Sequence, residues 1–224
     1  MPLPALLMLI FLALIGGCGL GAPAYPTFNA NAYRIEGYAN PEGAGAATRT
    51  VVYRDGADFR IESTLLRYGR ATVVFDHVGG GAYILNPTIQ QSEIAPTADA
   101  PIATAVDPSG GGVALRIADG DAPQPLETQW ATLSASSAHS VADCRVAGYS
   151  GHQWRHASTS DLQRSACITS DGIVLSLREN DRVLFEATSL QRQRQNPALF
   201  GVPPGYRTIN PYAIATEPDG KQSQ

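Results

Sequence analysis

Two cysteines and a histidine pair in the second half of the chain are the first candidates for chemistry. Cys144 and Cys167 stand on strand-like runs separated by one short strand, so a bridge requires the sheet to bring them together. If formed, it closes a loop of about 24 residues and contributes about 3 kcal/mol on the loop-entropy estimate. The competing reading is a redox or nucleophilic thiol, but neither cysteine lies in a Cys-x-x-Cys pair. His152 and His156 flank Trp154, and a period of two puts both on one side of a strand. With Asp143 or Asp161 they imitate a metal site, yet no third ligand stands at a suitable spacing. Histidines at a strand end facing water are the expectation, with no metal and no cofactor.

The other catalytic patterns are weaker. Gly148-Tyr149-Ser150-Gly151 lacks the Gly-x-Ser-x-Gly spacing of a nucleophile elbow. Glu36, Glu62 and Glu186 can be nominated as paired carboxylates for glycosidic chemistry, but nothing in the sequence brings two together. The glycine runs 79–81 and 110–112 precede neither Lys-Ser/Thr nor a helix, so they read as turns and not as phosphate loops. A non-enzymatic protein is expected, with a hydrolase as the remote alternative. The formal net charge of -4 argues against a nucleic-acid partner.

Cys18 is a different case. Residues 6–14 are an unbroken apolar run, shorter than the about 20 residues that span a bilayer, and Gly16, Gly17, Cys18 and Gly19 follow. An apolar core ending in small residues has the form of a cleaved export signal. The stretch Leu14-Ile15-Gly16-Gly17-Cys18 resembles the lipobox of bacterial lipoproteins. That resemblance implies cleavage before Cys18, a thioether to diacylglycerol on its sulfur, and acylation of the new amino terminus. The alternative is an ordinary signal cleaved after Ala22 or Ala24. If Cys18 is acylated, Cys144 and Cys167 remain as an even pair in an oxidising compartment. One lysine, Lys221, stands against fifteen arginines, a bias typical of a GC-rich bacterial genome. The expected organisation is a signal over 1–17, an acylated Cys and flexible tether over 18–30, one domain over 31–211, and a disordered tail over 212–224.

Within that domain β-branched and aromatic residues alternate between glycine turns. Thr50 to Tyr53 and Phe59 to Leu66 flank Asp55-Gly56, a strong hairpin signal. Ala71 to Phe75 and Ala82 to Leu85 continue the meander, and Tyr33 to Tyr38 adds a further strand. A second meander runs from Ala142 to Tyr149, through His152 to His156 after a Ser150-Gly151 turn, then Arg164 to Thr169, Ile173 to Leu177, and Val183 to Ala187. Glu127 to Ser134 is the best helix candidate. The fold class is therefore mainly β: a strongly curved antiparallel sheet, an incomplete barrel, with few short helices to cover it.

The last third carries a pattern. Val146-Ala147-Gly148-Tyr149, Trp154, then Cys167, Thr169, Asp171 and Gly172, and finally Phe200, Val202, Pro203, Gly205 and Tyr206 resemble uncharacterised envelope proteins related to the LolA/LolB lipoprotein-carrier superfamily. The early Phe59 to Ser63 strand is also similar. The resemblance implies a curved sheet whose hollow holds acyl chains. Phe59, Ile61, Phe75, Tyr83, Leu85, Leu175, Phe185 and Phe200 are then a candidate hydrophobic pocket, and an ordinary core is the competing reading. The expected function is an envelope lipoprotein that faces the periplasm from the inner or outer membrane. It would bind a lipid, an acyl chain or an acylated protein partner. The alternative is a structural or protein-interaction module of the envelope with no small ligand.

Overall fold

Alternating strands joined by short connections leave the chain little choice but a meander, and the computed structural model shows two of them fused. It describes residues 22–28, 32–40, 46–65, 68–86, 112–131, 137–156 and 163–211. The expected signal, Cys18 and the tail 212–224 lie outside the described residues. The strands are β1 (Ala32–Ala39), β2 (Thr48–Asp55), β3 (Asp58–Leu65), β4 (Gly69–Asp76), β5 (Gly81–Leu85) and β6 (Val113–Ile117) in the first half. The second half has β7 (Ala138–Val146), β8 (Tyr149–His156), β9 (Arg164–Ile168), β10 (Val174–Glu179), β11 (Arg182–Gln191) and β12 (Arg207–Ile209). Among the described residues one α-helix, α1 (Leu126–Ala131), stands between the halves.

The strand order is β12-β6-β5-β4-β3-β2-β1-β11-β10-β9-β8-β7. β1 therefore lies in the middle of the sheet, and the chain meanders from it out to β6. It resumes at the far edge with β7, meanders back to β11, and pairs β11 with β1. A last crossing puts β12 parallel to β6. The sheet is curved and not closed into a barrel, as expected.

Local chemistry explains the turns. Gly56 takes φ +66° between the paired Asp55 and Asp58, a backbone state glycine enters without penalty. Ala147 and Gly148 both have positive φ, 52° and 82°, which suits the tight right-twisted hairpin joining β7 to β8. The turn thus falls three residues before the expected Ser150-Gly151, which lies inside β8. Gly151 is needed for packing instead. A Cβ there would sit 2.5 Å from the Ile168 carbonyl oxygen of β9.

Alternation divides the sheet into two faces. The apolar face carries Tyr33, Ile35, Val52, Phe59, Ile61, Val73, Ile84, Trp154, Leu177 and Phe185, all buried in one cluster. Phe75 packs against that cluster and stacks on Phe59 with ring centroids 5.1 Å apart. On the opposite face Val74, Leu85 and Ala114 form a small second cluster with Tyr83, Val202 and Tyr206. The loop 192–206 reaches it from β11: Arg60 donates to the Leu199 carbonyl at 3.4 Å, and Asn86 donates to the Tyr206 hydroxyl at 3.0 Å.

Candidate functional site

The apolar face needs a cover, and among the described residues it comes from two short segments. Residues 22–28 cross it, with Tyr25 edge-on to Trp154 at 5.1 Å and to Phe28 at 5.8 Å. Helix α1 lies beside them and buries Trp130. A six-residue helix has almost no stability of its own, so what holds it is tertiary. Glu127 in its first turn is buried and accepts from the Tyr33 hydroxyl of β1. The same oxygen accepts from Arg54 Nη1 of β2 at 2.8 Å, and that nitrogen also reaches Thr128 Oγ1 at 3.3 Å. Burial first, and then the Glu127 carboxylate, raise the Tyr33 hydroxyl well above its ordinary pKa. Tyr33, Arg54 and Glu127 thus latch the lid to the sheet.

Two buried indoles meet there, Trp130 on the lid helix and Trp154 on the sheet beneath. The Trp154 Nε1 has no hydrogen-bond acceptor among the described residues, and the Trp130 indole interacts with the Tyr25 hydroxyl.

The second meander carries the disulfide. Cys144 and Cys167 are bridged, with Cα atoms 6.0 Å apart and a separation of 23 residues. Cys144 pairs with Gly151 and Cys167 with Gln153, so the bridge passes over β8 where glycine leaves room. Two depressions border it. One, of about 550 Å³, is lined by Asp143, Cys144, Arg145, Ser150, Gly151, His152 and Ser170. The other, of about 580 Å³, is lined by Arg145, Gln153, Arg155, Ser176, Arg178 and Glu186 among others. His152 Nδ1 stands 2.9 Å from Asp143 Oδ1, but the aspartate side chain is 90% exposed. A solvated carboxylate orients an imidazole weakly, and no serine hydrogen-bonds to that ring among the described residues. The described residues hold no cluster of three or more metal-ligating side chains.

No family model matches the chain, and no curated protein matches it. Solved structures do. An uncharacterised conserved protein from Thermus thermophilus matches with TM-score 0.47 at 10% identity, over 82% of this chain and 92% of that one. MucB matches with TM-score 0.44 at 14% identity, over 82% of this chain and 60% of that one. A MucA/MucB complex from Pseudomonas aeruginosa matches with TM-score 0.46 at 13% identity, over 78% and 56%. The chain therefore spans less than two thirds of either MucB match.

Of the residues expected to line a pocket, Phe59, Ile61, Phe75, Leu175 and Phe185 come together on the apolar face. Tyr83 and Leu85 do not. The β4–β5 register pairs Val73 with Ile84 and Val74 with Tyr83, which sends Ala82 and Ile84 to the apolar face and Tyr83 and Leu85 to the other. Phe200 is buried at 3% exposure on the crossing loop and belongs to neither cluster. The 22–28 stretch, expected as tether, is core packing from Tyr25 onward. The latch carries no sequence signature, because Tyr33, Arg54 and Glu127 are far apart in sequence and meet only through the fold.

Proposed function

We propose that the chain is a non-enzymatic binding module of the bacterial envelope, lipid-anchored through Cys18, whose apolar sheet face takes up a hydrophobic segment when its lid lifts. The observation that carries this is the lid itself. Among the described residues the apolar face is covered by the stretch 22–28 and one short helix, which is tied to the sheet by a buried polar latch. The ligand class is an acyl chain or an acylated protein partner, in keeping with the sequence resemblance to lipoprotein carriers. Anchoring on Cys18 holds the domain at a membrane surface, where such ligands are found.

The two tryptophans of the chain, Trp130 on the lid helix and Trp154 on the sheet beneath the lid, are both buried in the core cluster, so entry can be read directly. Brominated fatty acid should quench their emission saturably, and native mass spectrometry of membrane-purified protein should show a bound lipid. An absence of quenching at saturating ligand, together with lipid-free protein, refutes uptake. Mass spectrometry of the amino-terminal peptide tests the anchor; a peptide beginning after Cys18 with no acyl mass refutes it. A second reading has its own support. β7 is an outer strand of the sheet with Val141 41% exposed, and a partner chain can pair along such an edge.

A further inference from the structure

The depression of about 580 Å³ on the disulfide side is rimmed by cations. Register sets Arg155 of β8 opposite Ser165 of β9, and Ser165 opposite Arg178 of β10. The two arginines are therefore two strand spacings apart, about 10 Å, with a serine between them. One step along each strand pair, Gln153, Cys167, Ser176 and Glu186 form the next row, and Ser176 is buried. Arg145 lines the same depression from β7.

Elsewhere on the sheet an arginine meets a carboxylate closely, as Arg49 does Glu36 at 2.6 Å and Arg164 does Glu179 at 3.1 Å. Here Glu186 is the one lining carboxylate among the described residues, and it stays 3.7 Å from Arg178. Arg145 spends its Nε on the Gly148 carbonyl at 3.3 Å. Two guanidinium groups, Arg155 and Arg178, facing one carboxylate leave an excess of positive charge on a concave, solvent-exposed surface, where it attracts an anion. A carboxylate ligand has two oxygens and is satisfied by one guanidinium fork. Two forks from opposite sides, with hydroxyl groups between, suit an oxyanion with more acceptors.

We infer that this depression is a phosphate-binding site, gripped by Arg155 and Arg178 with Arg145 at its rim. The phosphate is a free anion or the diester of a lipid headgroup. Gln153 and Arg155 flank Trp154 in β8 and so point to the face away from the lid, and the site does not depend on lipid entering beneath it.

The test is isothermal titration calorimetry on the full chain in neutral detergent, with inorganic phosphate in one arm and glycerophosphoglycerol, a deacylated headgroup, in the other. Acetate at equal ionic strength is the comparison anion. Saturable binding of either phosphate probe, at least tenfold tighter than acetate, is expected, and the tighter probe identifies the source. R155Q should weaken it at least fivefold, and R155Q/R178Q should abolish it, with far-UV circular dichroism unchanged. Arg155 makes no internal ion pair among the described residues, so the single variant keeps its fold even if the double does not. Failure of both probes to bind, acetate binding as tightly, or unchanged affinity in R155Q overturns the assignment.

Discussion

Replacing Glu127 by alanine tests the lid most directly. The carboxylate is buried at 8% exposure and is the shared acceptor of Tyr33 and Arg54. Removing one partner of a fully buried ion pair typically destabilises by about 3–5 kcal/mol. Arg54 keeps access to water, with a side chain 22% exposed, so the loss is discounted to about 2 kcal/mol. This falls first on the lid, because the further side-chain tie from α1 to the sheet, the Arg54–Thr128 hydrogen bond, is longer, at 3.3 Å. By the rule of tenfold per 1.4 kcal/mol, the open population rises roughly thirtyfold. The assay is tryptophan emission together with amide exchange over α1. Glu127→Ala should red-shift the emission and speed exchange in 126–131, while exchange in β3 and β4 stays slow. Tyr33→Phe should give a smaller effect, about 1 kcal/mol, since Arg54 still pairs with the carboxylate. A double-mutant cycle then measures the Tyr33–Glu127 coupling. Unchanged emission and exchange in Glu127→Ala would show that the polar cluster does not hold the lid, and the uptake reading would lose its device.

Other outcomes follow from the same geometry. Cys144→Ala/Cys167→Ala should lose about 3 kcal/mol in urea unfolding, with the wild type matching it under reductant; equal midpoints with and without reductant contradict this. Gly37→Ala should be among the most destabilising single changes, at about 2 kcal/mol or more. Its Cβ would stand 2.3 Å from the Glu186 carbonyl oxygen and 2.8 Å from the Phe185 ring, and thermal melts will show whether the β1–β11 seam tolerates it. Asp171 accepts from Arg192 at 2.8 and 3.0 Å and from Thr169 at 2.5 Å. Arg192 holds its pKa below the ordinary aspartate value of 3.8. Its folded pKa is depressed, so its stabilising contribution is complete above pH 3.8 and fades as acid carries the protein through the lower folded value. Arg192→Gln should weaken that acid-side dependence, and parallel pH–stability curves for the two proteins would disprove it. Glu36, between Arg49 and Arg34, should titrate at about 2 by carboxyl NMR and move upward in Arg49→Gln.

Strands were the legible part of this chain. Phe59, Ile61 and Ser63 point one way in β3 because the intervening residues are polar, and the alternation alone reveals the face. In β5 the run Ala82 to Leu85 is apolar on every residue, so period two offers no choice between faces. The register with β4 and the crossing loop decide it, and they sent Tyr83 and Leu85 away from the apolar side. The Ala147-Gly148 turn was hidden because an alanine at positive φ carries no signature, while Ser150-Gly151 looks like a turn and serves close packing. The cover was least legible. Tyr25 and Trp130 belong to short segments whose place is set wholly by the sheet they meet. The disulfide pairing was anticipated from parity, and Cys144 and Cys167 are joined.

The seam between β1 and β11 also dictates when the protein can finish folding. Tyr38 pairs with Glu186, so one edge of the first strand waits for a partner about 150 residues later. At synthesis rates of about 5–20 residues per second that wait is roughly 8–30 s. Until then β1 and its meander present an open hydrogen-bonding edge beside an apolar surface, the combination most prone to wrong pairing. Such long-range closure also slows the search itself. A chain so arranged gains from being held unfolded until its last strands are available, and passage across a membrane as an extended polypeptide would supply that delay.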